Sequence, residues 1–301
     1  MQFAWTAPDG DVFPCEKWEP AGSPRAVLVC VHGMGGAADE FLPLAQRATA
    51  AGLCCYGLNL RGQGHDPRTD RRGHYLDVPA MCAEIAAFAR EVTGRHAGLP
   101  VFLCGESMGA LLVCRAVASR QIAVDGVILS APVVALRRPT PAPVRTVLRW
   151  AARLVPRMRF RHSWFVSGKK ETLPVTRDQD HLQRIRSAPH AIPAFTVHFL
   201  HAMGDLITSC GEAARGMTVP CLVLAAGRDV FLDADQVEAW FREIASTDKT
   251  LRVYPDAYHC LWNDFDRDAV LQDIAEWLEA RLPAKAPAEE SRWSAKGAPI
   301  P

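Results

Sequence analysis

The 301-residue chain has no apolar run approaching the roughly 20 residues that a membrane-spanning helix needs. It also has no Cys-x-x-Cys pair, no Walker-type phosphate loop and no internal repeat. These absences argue against a helical membrane anchor, a zinc ribbon, a dithiol redox centre, a P-loop nucleotide site and a solenoid. Met1 to Pro14 contains neither Lys nor Arg and no long apolar stretch, so a secretory signal peptide is not expected. Charge of one sign is lacking as well: 34 Lys and Arg face 33 Asp and Glu, for a net charge of +1. That balance gives no reason to expect nucleic acid as partner and points to a small neutral or amphiphilic molecule.

What is present suffices for a large core. Hydrophobic residues make up 49% and charged residues 22% of the chain, the composition of a soluble globular protein. Of the ten cysteines, Cys30, Cys54, Cys55 and Cys104 sit inside apolar, strand-like runs. They read as buried thiols of a protein in the reducing cytoplasm, soluble or at most peripheral at a membrane surface.

Ala26 to Val31 is a continuous apolar run of strand length, as in a parallel strand covered on both faces. Leu53 to Leu58, Val101 to Cys104, Val127 to Leu129, Cys221 to Ala225 and Leu251 to Tyr254 repeat it. Helical patterns lie between most of them. One carries Val78, Met81, Ile85, Phe88 and Val92 behind an Asp77 cap, another Val237, Trp240, Phe241 and Ile244, and a last one Val270, Ile274, Trp277 and Leu278. The alternation predicts an α/β fold with a mostly parallel central sheet, helices on both faces, and an antiparallel edge near Phe3 and Val12 to Trp18. It breaks in a proline-rich, amphipathic stretch. Residues 1–131 and 218–282 are therefore expected to form the core, 132–217 an inserted helical cap, and 283–301 a disordered tail.

Gly105-Glu-Ser-Met-Gly109 follows one predicted strand and precedes a helical pattern through Leu111, Leu112 and Ala116. A Gly-x-Ser-x-Gly nucleophile elbow requires that strand, sharp turn and helix, which present Ser107 at the carboxyl end of the sheet. Behind the strand Ala26 to Val31, His32-Gly-Met-Gly-Gly36 opens another helix. The backbone N–H groups of Met34 and Met108 are the candidates for an oxyanion hole. The general base belongs in the loop after the last strand, which selects His259 in Pro255-Asp-Ala-Tyr-His259. The carboxylate that orients it belongs after the preceding strand, where Asp229 fits and Asp233 is the reserve, the latter being better placed to cap the next helix.

These pieces resemble a known family, the capped α/β-hydrolases that include monoacylglycerol lipases, lysophospholipases and the proline-iminopeptidase-like group (serine aminopeptidase S33). The resemblance covers roughly residues 10 to 282 and rests on His32-Gly-Met-Gly-Gly36, Leu60-Arg-Gly-Gln-Gly-His65, Gly105-Glu-Ser-Met-Gly109, Gly227-Arg-Asp229 and Tyr258-His259. Asn59 stands where this family usually has an aspartate. The resemblance implies a Ser107, Asp229, His259 triad, with the Met34 and Met108 amides as oxyanion hole. From the residues themselves, no cofactor or metal is expected. Glu106, also found in lipase-like members, is expected to make a structural hydrogen bond.

From Arg137 to Lys170 the chain has basic residues and no Asp or Glu, and Arg145, Arg149 and Arg153 share one helical face. The apolar face, with Val144, Val147, Leu148, Ala151, Leu154 and Val155, either packs on the core or guides an acyl chain while the arginines meet anionic head groups. Trp150, Trp164 and Phe199 are candidate substrate contacts. His198 and His201 are three residues apart but lack further metal ligands.

The expected activity is hydrolysis of a lipid-like single-chain ester through an acyl-enzyme. An aminopeptidase would need cap carboxylates to hold an ammonium group, and the cap offers mainly Glu171, Asp178, Asp180, Asp205 and Glu212 amid positive charge. An acyltransferase would use the same nucleophile, and a non-catalytic binding protein could share the same fold.

Overall fold

A computed structural model of the chain describes residues 1–161 and 174–283. Trp164 and the expected tail beyond Pro283 therefore lie outside the described residues.

Eight strands form one sheet: β1 (Gln2–Thr6), β2 (Val12–Trp18), β3 (Ala26–Val31), β4 (Leu53–Leu58), β5 (Val101–Glu106), β6 (Gly126–Ser130), β9 (Cys221–Ala226) and β10 (Lys249–Tyr254). Two short strands, β7 (Arg159–Phe160) and β8 (Phe195–Thr196), pair apart from it as an antiparallel ribbon. The large sheet runs β1-β2-β4-β3-β5-β6-β9-β10. β1 and β2 pair antiparallel, and β2 joins β4 antiparallel. The other pairings are parallel.

β3, β4 and β9 are apolar and buried along their whole length, and β5 and β6 nearly so, because both faces are covered. β10, expected to repeat that pattern, instead carries Lys249, Thr250 and Arg252 and is largely unburied, because it is the edge strand of the sheet. Val27, Val29 and Val31 of β3 enter one core with Met81, Ile85 and Phe88 of helix Val78–Arg95 and Leu111 and Leu112 of helix Met108–Ala118. Ala26, Leu28 and Cys30 enter the other with Leu44 and Ala45 of helix Leu42–Ala50 and Ile274 and Trp277 of helix Arg267–Glu279. Asp77 caps its helix as expected, accepting the Ala80 N–H at 3.0 Å. All ten cysteines are free thiols, nine of them buried. Among the described residues no helix is long and apolar enough to cross a membrane.

Between β6 and β9 the described chain forms helices Ala142–Leu154, Gln179–Ser187, Val197–Thr208 and Cys210–Gly216. The last of these packs on the Met108–Ala118 helix of the core. Helix Ala142–Leu154 does not pack its apolar face on the core, since none of its residues is buried. Val147, Trp150 and Leu154 face solvent. Arg145, Leu148 and Arg149 instead line the large cavity over the sheet. A helix that contacts mainly one neighbour, Val197–Thr208, need not turn its apolar side inward.

Candidate active site

The turn from β5 into helix Met108–Ala118 holds Ser107 at φ 56° and ψ −117°, outside the ordinary regions for an L-residue. Such a conformation costs about 1–3 kcal/mol and persists only where the surroundings enforce it. The Ser107 N–H donates to Ser130 O at 2.8 Å, which pins the turn to the end of β6. The flanking glycines are required by close approach. A Cβ on Gly109 would sit 2.2 Å from Val31 O, and one on Gly105 2.6 Å from Ala110 Cα.

The preceding loop lies directly against the serine: a Cβ on Gly33 would be 3.0 Å from Ser107 Cβ. His32 anchors that loop. It is fully buried, its Nδ1 is 2.8 Å from Gly33 O, and its Nε2 accepts the Leu60 N–H at 3.1 Å. Burial lowers its pKa to about 4, so it is a neutral structural group. Gln63 Oε1 accepts the Gly35 N–H at 2.7 Å and fixes the loop around Met34. Met108 is the first residue of its helix, so its N–H has no carbonyl one turn back within that helix. Asn59 is tied in at both ends, accepting from Ala38 N–H at 2.9 Å and donating to Pro14 O at 2.8 Å. An aspartate could not make the second bond.

Asp229, in the loop after β9, and His259, in the loop after β10, meet at 2.6 Å between Oδ2 and Nδ1. Both are buried. Burial pulls the His259 pKa down, but the charge and hydrogen bond of Asp229 and the more distant charge of Glu106 outweigh it, and the net direction is up. Asp229 Oδ1 accepts the Phe231 N–H at 2.8 Å, which fixes the carboxylate plane. Asp233 is the helix cap anticipated for the reserve candidate: its N–H donates to Gln236 Oε1 at 2.9 Å, and its carboxylate pairs with Arg137.

Ser107, His259 and Met34 line one cavity of about 1740 Å³. Its apolar wall includes Val134, Leu136, Leu200, Met203 and Phe231. The placement of two other candidates is corrected. Trp150 is exposed and stacks with Arg153, because its side of the helix faces away from the cavity. Phe199 is fully buried behind Phe195, which lines the cavity in its place. Glu106 also differs from expectation, since its buried Oε1 has no hydrogen-bond partner. It lines the cavity, and burial raises its pKa to about 7, with His259 acting weakly in the opposite sense. Glu40 shares that end of the cavity and is raised too, by burial and by repulsion from Glu106 and Asp39.

Sequence reasoning missed Asp264 and Arg177. Asp264 is buried and accepts the Tyr258 N–H at 2.8 Å, while Arg177 pairs with it from the stretch between β6 and β9. Cys260 N–H donates to Val175 O at 2.9 Å. The His259 loop is thus held by residues more than 80 positions earlier, a link no local pattern announces.

A family model for the hydrolases described as serine aminopeptidase, S33, matches residues 22–266. The chain belongs to this family. Monoacylglycerol lipase of Mycolicibacterium smegmatis is 26% identical over 271 residues, covering 89% of this chain and 92% of that protein. Monoglyceride lipase of Rattus norvegicus is 26% identical over 281 residues, covering 91% and 89%. The crystal structure of Paleococcus ferrophilus monoacylglycerol lipase matches with a TM-score of 0.75 at 23% identity, covering 89% of this chain and 99% of that one. A soluble variant of Saccharomyces cerevisiae monoglyceride lipase, bound to a substrate analog, matches at 0.80 with 19% identity, covering 95% and 96%. The fold is that of the α/β-hydrolases, as the motifs indicated, and the chain is a monoglyceride lipase-like hydrolase of that superfamily.

Proposed function

We propose that the chain hydrolyses a lipid-like single-chain carboxylic ester, such as a monoacylglycerol or lysophospholipid, through a Ser107 acyl-enzyme. The observation that carries this reading is the buried Asp229–His259 pair, 2.6 Å apart, opening onto the same cavity as the strained Ser107. With Nδ1 engaged by Asp229, His259 Nε2 is free to take the Ser107 proton as Oγ attacks the ester carbonyl. The Met34 and Met108 N–H groups receive the oxyanion, each such donor contributing about 3 kcal/mol in the transition state. His259 then protonates the departing alkoxide, and water attacks the acyl-enzyme with His259 again as base.

Residues 132–217 act in this reading as a cap over the site. The apolar cavity wall would take the acyl chain, and its volume exceeds the roughly 300–1,000 Å³ of an ordinary small-molecule pocket. Exposed Val147, Trp150 and Leu154, with the basic residues of the same helix, suit contact with a lipid aggregate. The names of the relatives favour the same substrate class.

The test is a panel of monoacylglycerols and esters graded by acyl length, run beside amino-acid naphthylamides on the wild type and Ser107→Ala. Medium or long acyl esters are expected to be the better substrates, with no turnover by the variant. Faster cleavage of short p-nitrophenyl esters than of any longer ester would refute the lipid assignment. Unchanged hydrolysis by Ser107→Ala would refute the nucleophile.

A further inference from the structure

We propose that Asp39, His65 and His190 form a zinc-class divalent metal site that clamps the inserted segment to the loops at the carboxyl ends of β3 and β4. Three separate stretches of chain supply them. Asp39 lies in the 3-10 turn Ala38–Phe41 after β3, His65 in the loop after β4, and His190 just before β8. One potential ligand atom from each lies within 4.8 Å of those of the other two. His65 Nε2 is 3.8 Å from Asp39 Oδ2, and the two imidazole rings are 4.3 Å apart between centroids.

Two features favour an ion over a plain polar cluster. First, although the charge of Arg72 reaches His190, among the described residues no Lys or Arg lies within ion-pair distance of Asp39 or of neighbouring Glu40. Their only such contacts there are to histidine, His65 at 3.8 Å and His190 at 4.0 Å. Second, His190 is 7% exposed and its Nδ1 has no hydrogen-bond partner. Two histidines and one carboxylate are a common zinc donor set, and Glu40 or water can complete four-coordination.

Metal–ligand bonds of about 2.0–2.1 Å place tetrahedral donors about 3.4 Å apart. Rotation of the Asp39 and His65 side chains, exposed by 52% and 31%, can close the remaining gap around the buried His190. The sequence reading expected no metal. His65 and His190 are far apart along the chain, and neither belongs to a ligand-spaced motif.

Metal-stripped full-length protein titrated with Zn²⁺ against a chromophoric chelator tests the site, with melting temperature followed in parallel. One tightly held Zn²⁺ per chain and a zinc-dependent rise in melting temperature are expected. Loss of an outer partner typically weakens binding 10–100-fold, so loss of a ligand in His65→Ala or His190→Ala should weaken it on the order of 100-fold or more. Melting without zinc reports whether each variant folds, and His65→Ala serves alone if His190→Ala does not. The His198→Ala/His201→Ala double variant and His259→Ala should bind as the wild type does. The proposal fails if the wild type takes up no Zn²⁺ at micromolar concentration. It also fails if His65→Ala binds normally, or if binding disappears in His259→Ala or in the double variant instead.

Discussion

His259 Nδ1 lies 2.6 Å from Asp229 Oδ2, although 30 residues separate the two in sequence. The register of β9 and β10 explains the meeting. The strands pair parallel from Cys221 with Lys249 to Ala226 with Tyr254, so the loops that follow them leave the sheet side by side. Replacing Asp229 by Asn keeps an oxygen for the Phe231 N–H but removes the charge and the preferred tautomer of His259. An ester-hydrolysis rate lower by about 10⁴-fold is expected, with the fold retained by circular dichroism.

In the proposed mechanism His259 accepts a proton and must be neutral to do so, so kcat/KM should rise with pH through a value above the ordinary histidine pKa of about 6.5. In Asp229→Asn that limb should move to lower pH. Stability runs the other way. Protonated His259 stabilises the fold fully below the unfolded pKa, and the contribution disappears as pH rises through the raised folded pKa. A pH–rate profile and thermal melts across pH 5–9 check both signs.

Glu106 holds its proton more tightly folded than unfolded, about 7 against the ordinary 4.5, so between those values the fold loses stability as pH rises. Glu106→Gln should remove that loss and raise stability at pH 8 by on the order of 2 kcal/mol, with little change at pH 4.5. Denaturant melts at the two pH values decide it. An equal gain at both would mean that the carboxyl's ionisation is not the cause.

Gly109→Ala places a methyl group 2.2 Å from Val31 O, a backbone atom of a central strand that cannot move aside. The expected cost is about 3 kcal/mol or more, visible as a lower urea midpoint or as insoluble expression. Asn59→Asp removes the bond to Pro14 O and buries a charge, and should cost about 2 kcal/mol.

Trp150→Ser with Leu154→Ser removes exposed apolar surface without touching a buried residue. Melting temperature and turnover of a soluble short ester should be unchanged. Binding to vesicles containing anionic lipid, measured by co-sedimentation, should fall severalfold. Equal binding by both proteins would remove the role given to this helix face.

Much of this was readable in sequence for a local reason. A strand buried on both faces must be apolar along nearly its whole length, so β3, β4, β9 and the Val101–Cys104 part of β5 announced themselves. An elbow as tight as that at Ser107 admits only glycine at positions 105 and 109, so its location was written in the spacing. The ranking of Asp229 over Asp233 also followed from chain position, because a carboxylate just before an amphipathic run is placed to cap it.

Other features depended on residues brought together from distant positions. An amphipathic stripe states that two faces differ, but which face turns inward depends on what the fold sets beside it. The stripe of Ala142–Leu154 therefore did not reveal that Arg145 and Arg149 line the cavity while Trp150 faces water. The same holds for the Asp264–Arg177 brace under the His259 loop and for the corner of Asp39, His65 and His190. The amino-acid order alone determined the strands, the elbow and the order of Ser107, Asp229 and His259, because backbone sterics and burial act over a few residues. Only the tertiary structure decided which side chains share the cavity and which charges lack a partner, because those depend on the packing of segments far apart along the chain.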